Sequence, residues 1–253
     1  MKFTWFILSG VFLIQISLSQ ENDARFLSRT FTSSDGRVLP YRLFVPPSSQ
    51  SGKTYPLILW LHGAAGRGTD NMSNISGANE LGSHFWISPA NQKSHPCFVL
   101  APQCPDTSLW VANDGRENPP DELDLVAGLL TELEKTYSID TNRVYVVGQS
   151  MGGIGTWEIL ERYPDKFAAG IPLCGLGDTR KASLLTQVPI WAFHGAADSV
   201  VDVSRAREMI GAIRKAGGHP KYTEYKDVGH DVWTFAFGEP SLITWVFSQH
   251  RQH

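Results

Sequence analysis

Six short apolar runs constrain this chain more than any other feature: LILWLHG (57–63), FVLAPQ (98–103), VYVVGQS (144–150), AAGIPLCG (168–175), PIWAFHG (189–195) and KYTEYKDVGH (221–230). Each has Gly or Pro within its last three residues, and stretches of helical spacing lie between them. Runs that are apolar without alternation suit strands buried on both faces, and helices interposed between strands supply the cover. In DELDLVAGLLTELEKTY (121–137), Leu125, Leu129 or Leu130, Leu133 and Tyr137 share one helical face behind an acidic first turn. SRAREMIGAIRKAGG (204–218) repeats the pattern with Met209, Ile210 and Ile213 and stops at Gly217-Gly218. The opening FLSRTFTSSDGRVLPYRLFVP (26–46) carries an Asp35-Gly36 turn and reads as an antiparallel hairpin at the sheet edge. The expected fold class is α/β, with a mostly parallel twisted sheet, helices on both faces and an N-terminal antiparallel hairpin. Ligands of such sheets bind at the carboxyl ends of the strands.

At 253 residues and 42% hydrophobic content, one large core is the expectation, a single catalytic domain over 20–253. Residues 1–19 read as a cleavable signal peptide: Lys2, an apolar run to Ile16, then the small Ser17 and Ser19. That apolar run is shorter than the roughly 20 residues of a membrane span, so no stable membrane insertion is expected and the protein should be secreted or periplasmic. A formal charge of -3 and the lack of any Lys/Arg run argue against nucleic acid as a partner. Cys97, Cys104 and Cys174 are an odd count and form no disulfide framework. Neither C-x-x-C nor H-E-x-x-H spacing occurs, so no metal is expected. Segments 46–56 and 113–120 read as surface loops.

Gly148-Gln149-Ser150-Met151-Gly152 matches G-x-S-x-G, a weak signal alone in a chain of 23 glycines. Its context strengthens it, because an apolar strand precedes the motif and a helix-like run follows. A serine hydroxyl needs a base to become a nucleophile, and the base needs a group that fixes its tautomer. The order Ser, acid, His, with each partner after a later strand, assigns Ser150 as nucleophile, Asp198 as orienting carboxylate and His230 as general acid and base. Asp202 competes for the acid role, whereas Asp227 and Asp231 flank His230 too closely. A tetrahedral intermediate also needs two backbone N–H donors. Met151 supplies one, and the loop after His62-Gly63 supplies the other, at Ala64 or, failing that, Ala65. His62 and His194 read as structural.

Substrate contacts are less legible. Trp60, Trp191, Trp157 and Trp245 fit core positions, and Trp86, assigned to a loop, leans the same way. For Trp110 and Trp233 pocket wall and packing weigh equally, and both are carried as substrate-binding candidates together with Gln149. Gln103 reads as a polar strand end at the surface. Asn71 and Asn74 fit the glycosylation acceptor pattern.

The segments LILWLHGAAGRGTDN, CFVLAPQCP, VYVVGQSMGG, HGAADSVV and GHDVWTFAFGEPSLITWVFSQ together resemble the secreted α/β-hydrolase esterases related to feruloyl esterases, acetyl xylan esterases and polyhydroxybutyrate depolymerases. Some members of that group carry phospholipase/carboxylesterase or peptidase labels. The similarity runs from about residue 40 to 248. It implies an α/β-hydrolase fold, the Ser150–Asp198–His230 triad, and an oxyanion hole completed by the loop after His62. One departure is Gly66, where many relatives carry Glu. The implied activity is serine carboxylic ester hydrolysis through an acyl-enzyme, without a cofactor, on a small-molecule or polysaccharide-linked ester. A serine peptidase of the same fold and a non-catalytic carbohydrate-binding relative are the alternatives.

Overall fold

The computed structural model describes residues 23–47, 49–50, 52–111 and 122–251. The expected signal peptide and the expected loop 113–120 lie outside the described residues. Eight strands form one sheet: β1 (Leu27–Thr32), β2 (Val38–Phe44), β3 (Tyr55–Leu61), β4 (Phe98–Pro102), β5 (Ile139–Gln149), β6 (Ala169–Leu173), β7 (Trp191–Gly195) and β8 (Lys221–Tyr225). Their order is β1-β2-β4-β3-β5-β6-β7-β8. β1 and β2 pair antiparallel with each other, and β2 antiparallel with β4. All other neighbours are parallel.

The hairpin turns at Gly36, whose φ of 84° suits a residue without Cβ. The expected edge hairpin is therefore present, and the continuous runs form the parallel strands. β3 and β4 are buried at every position. Packing against the sheet are α3 (Leu123–Thr136), α4 (Met151–Arg162) and α5 (Val203–Lys215), preceded by α1 (Glu80–Ile87) and α2 (Pro89–Ser94) and followed by α6 (Trp233–Ala236) and α7 (Leu242–Ser248). Two apolar clusters result. One gathers Leu57, Leu59 and Leu61 with Leu125, Leu129, Leu130 and Leu133 of α3, and with Met209, Ile210 and Ile213 of α5. The other gathers Ile58 and Trp60 with Trp86, Leu242 and Val246. Alternate side chains of β3 thus enter opposite layers, the geometry that keeps both faces of a strand dry. Each fully buried Leu contributes about 2 kcal/mol of apolar burial.

α5 ends where expected, at Gly217 with φ 99°. α1 and α2 correct the loop assignment of Trp86, which lies on α1 and is buried. Ser88 caps α2 by accepting from the Asn91 N–H, with Pro89 in the first turn. Among the described residues, no helix is long and apolar enough to cross a membrane. Cys97, Cys104 and Cys174 are buried, and none of them is in a disulfide.

Candidate active site

The carboxyl ends of β5, β7 and β8 meet at Ser150, Asp198 and His230. Ser150 stands between β5 and α4 with φ 55° and ψ −118°, a conformation that non-glycine residues rarely adopt. The bend holds because the elements around it approach too closely for side chains. A Cβ at Gly148 would lie 2.2 Å from the Gly152 carbonyl oxygen, and one at Gly152 would lie 1.9 Å from that of Leu61. The Ser150 N–H donates to the Leu173 carbonyl at 2.9 Å, tying the bend to β6.

His230 follows β8 and bridges the other two side chains. Its Nε2 lies 2.8 Å from Ser150 Oγ, and its Nδ1 lies 2.8 Å from Asp198 Oδ2. A carboxylate only accepts, so Nδ1 carries the proton and Nε2 is free to accept from the serine hydroxyl; this tautomer is assigned from the network. Asp198 Oδ1 accepts the N–H groups of Val200 (2.8 Å) and Val201 (2.9 Å). Burial works to raise the Asp198 pKa, but the hydrogen bonds from His230, Val201 and Val200 outweigh it and leave the carboxyl below its usual value. Asp202 instead caps α5 through the Ser204 N–H at 2.8 Å, and Asp227 and Asp231 are exposed.

The two expected oxyanion donors each stand at the start of a helical element. Met151 opens α4, and Ala64 opens a short 3-10 turn, Ala64–Gly66. Among the described residues neither N–H has a protein acceptor, and the same holds for Ala65. The Gly63 N–H, in contrast, is taken by Asn79 Oδ1 at 2.9 Å. His62 braces the loop: Nε2 accepts the Cys104 N–H (3.0 Å), so Nδ1 donates to the Gly63 carbonyl (2.7 Å). Burial lowers its pKa to about 4, which keeps the ring neutral. A Cβ at Gly66 would meet the His62 ring at 2.6 Å, a local reason for glycine there.

His194 is also fully buried, its Nε2 donating to the Val201 carbonyl at 2.9 Å. Atoms of Cys174, Asp198 and His230 lie within 4.8 Å of one another, spacing that suits a metal ion. Their chemistry does not: Asp198 and His230 are engaged with each other and with Ser150, and burial raises the Cys174 pKa, holding the thiol protonated.

Several expectations are corrected by burial. Trp110, carried as a substrate contact, is fully enclosed; its indole N–H donates to the His62 carbonyl at 2.9 Å and its ring packs on His62 at 4.9 Å. Gln149 is 2% exposed, and its amide points to Ala78 and Asn79 rather than into the site. Trp233 is half-buried with its ring 5.7 Å from that of His230, so it alone of the three candidates flanks the site. Gln103, expected at the surface, is fully buried; it accepts the Asn71 N–H and donates to the Gly66 carbonyl (3.1 Å) and Asp70 (2.7 Å). The amide nitrogens of Asn71 and Asn74 are spent internally, that of Asn74 on the Ala101 carbonyl at 2.7 Å, which leaves neither open to a glycan. Asn79 was not singled out from sequence; an Asn sixteen residues past Gly63 carries no signal until the chain folds.

Residues 116–190 match the family model of the prolyl oligopeptidases, Peptidase_S9. Over 101 residues the chain is 30% identical to a bifunctional acetylxylan esterase/xylanase of Neocallimastix patriciarum, a match that covers 40% of this chain and 15% of that protein. A crystal structure described as a thermostable esterase superposes with a TM-score of 0.86 at 39% identity, over 91% of this chain and 64% of that one. A ferulic acid esterase superposes with a TM-score of 0.67 over 88% of this chain and 98% of its own, but at 19% identity it speaks for the fold alone. The chain thus spans less than two thirds of the first two proteins. Its fold is that of the α/β-hydrolases. Within that class, proteins described as esterases are among those it resembles.

Proposed function

We propose that the protein is a serine carboxylic ester hydrolase acting on small-molecule or polysaccharide-linked esters, such as acetyl or feruloyl esters. Ser150 attacks the ester carbonyl while His230 Nε2 takes the hydroxyl proton. Asp198 holds the resulting imidazolium in place. The Ala64 and Met151 N–H groups receive the oxyanion, and α4, opening at Met151, adds the positive end of its dipole. His230 returns the proton to the departing alcohol, leaving an acyl-serine. A water deprotonated by His230 then releases the acid. No step requires a cofactor. Trp233 flanks the incoming substrate. Residues 20–253 act as one catalytic domain, exported on the segment 1–19.

The observation that carries this reading is the His230 ring, hydrogen-bonded at one nitrogen to a strained serine and at the other to a buried carboxylate, 2.8 Å on each side. The similarity to esterases supports it. The test is turnover of p-nitrophenyl acetate and methyl ferulate by the protein and by Ser150→Ala, with covalent labelling by a fluorophosphonate. Turnover and labelling lost in the variant are expected; equal turnover by both proteins refutes the triad.

A second reading, serine peptidase, draws on the match to the prolyl oligopeptidases. That match spans β5, the serine turn and β6, which any α/β-hydrolase needs whatever its acyl substrate. Peptide cleavage outpacing ester cleavage decides for the peptidase.

A further inference from the structure

Two enclosed amides, Gln149 and Asn79, lie next to the site. Gln149 is 2% and Asn79 1% exposed. Gln149 Nε2 donates to the Ala78 carbonyl (2.9 Å) and to Asn79 Oδ1 (3.3 Å). Asn79 Oδ1 accepts the Gly63 N–H (2.9 Å), and Asn79 Nδ2 donates to the Ser73 carbonyl (3.0 Å). The partners fix both amide orientations. Turning Gln149 over sets its oxygen against two acceptors, and turning Asn79 over sets its NH2 against the Gly63 N–H. One line of hydrogen bonds therefore runs from the residue before Ser150 to the residue before Ala64.

The other end of Gly63 is held as firmly. Its carbonyl accepts from His62 Nδ1 (2.7 Å) and from the Gly66 N–H (2.9 Å). Because the peptide is planar and trans, the Gly63 C=O and the Ala64 N–H point in opposite directions within one plane. Fixing Gly63 at both ends therefore aims the Ala64 N–H. The sheet does not do this unaided: the β3–β5 pairing ends at Leu61 and Gly148, before either Gly63 or Ser150 is reached.

We propose that Gln149 and Asn79 are positioning residues that hold the oxyanion loop in register with the nucleophile. The proposal rests on the esterase reading and on Ala64 as a donor. Loss of one oxyanion donor costs roughly 100- to 1000-fold in kcat, so a donor that is mis-aimed but present should cost roughly 10- to 100-fold. The oxyanion exists only past the ground state, so the loss belongs in kcat with KM held within about threefold.

The experiment compares the parent, Gln149→Met, Asn79→Ala and the double variant on p-nitrophenyl acetate, and measures fluorophosphonate labelling rates alongside thermal melts. Gln149→Met keeps the volume and removes only the amide, so it reads the effect even where Asn79→Ala, which also frees the Ser73 carbonyl, fails to fold. The expected result is a kcat loss of roughly 10- to 100-fold for Gln149→Met, a labelling rate that falls in proportion, and a double variant no worse than the poorer single, since both residues belong to one line of bonds. A kcat within threefold of the parent, or a change confined to KM, overturns the proposal and leaves the esterase reading intact. A parent that neither turns over esters nor takes the probe overturns both.

Discussion

Asp198→Asn separates the orienting function we propose for the acid from its bulk, because the surrounding backbone dictates which way the new amide must face. Asp198 Oδ1 accepts two N–H groups, from Val200 at 2.8 Å and Val201 at 2.9 Å. An asparagine there must leave its oxygen on those donors, since an NH2 would face two N–H groups at hydrogen-bond distance. Its Nδ2 then replaces Oδ2, 2.8 Å from His230 Nδ1. The amide donates to Nδ1, the imidazole proton moves to Nε2, and the nitrogen facing Ser150 Oγ no longer has a lone pair to accept with. His194 cannot reverse this, because its Nε2–H is spent on the Val201 carbonyl. Loss of the productive tautomer costs about 10⁴-fold in kcat, or about 5 kcal/mol of transition-state stabilisation. KM for p-nitrophenyl acetate should stay within about threefold, since the substitution removes no ground-state contact. The carboxyl titrates below its usual value in the folded protein, so its stabilising effect is present at neutral pH and fades as pH falls through the folded value. The variant should therefore melt below the parent near pH 7, with the gap closing on acidification. Steady-state kinetics with melts over that range read both effects. A kcat loss under tenfold with the fold intact refutes the assignment of Asp198.

Two further outcomes follow from packing and burial. Gly152→Ala should destabilise the protein by several kcal/mol or prevent folding, because its Cβ would lie 1.9 Å from the rigid Leu61 carbonyl oxygen, whereas Gly211→Ala on α5, with nothing within 4 Å, should stabilise by about 0.5–1 kcal/mol; thermal melts with the same sign for both refute the close-approach account. Burial, reinforced by Glu158, pushes the Glu161 carboxyl up to about 7 against the bonds from the Asp178 N–H and Lys181, so folded stability is intact below the unfolded value near 4.5 and declines as pH climbs through 7; Glu161→Gln should melt above the parent near pH 9, by at most about 3 kcal/mol, with no gain near pH 5, and parallel melting curves across pH refute it.

How much of this was legible in the sequence depended on whether a residue's partner was nearby or far along the chain. Ser150 and Asp198 each follow a short apolar run and His230 a short strand-like one, so the strand pattern by itself sets them at one edge of the sheet, and the structure brings them together there. The hairpin, α3 and α5 were equally readable, since turn chemistry and periodicity are local. α1 and α2 were missed because elements of 8 and 6 residues are too short to develop a clear stripe. Gln103, Trp110 and Gln149 were misjudged for a shared reason. A polar or amphipathic side chain at a strand end or in the loop beyond it looks like a surface or ligand-facing group, and here each is turned inward to satisfy backbone groups 32, 48 and 71 residues away. Loops such as the one that opens at Ala64 leave main-chain carbonyls and N–H groups unpaired below the surface, and enclosing them without partners costs about 1–3 kcal/mol each. Side chains must supply those partners, and long polar residues at the strand ends are the ones within reach. The rigidity of such a loop is thus written in residues whose type signals exposure, which is why pattern reading finds Ser150, Asp198 and His230 before it finds what holds their surroundings still.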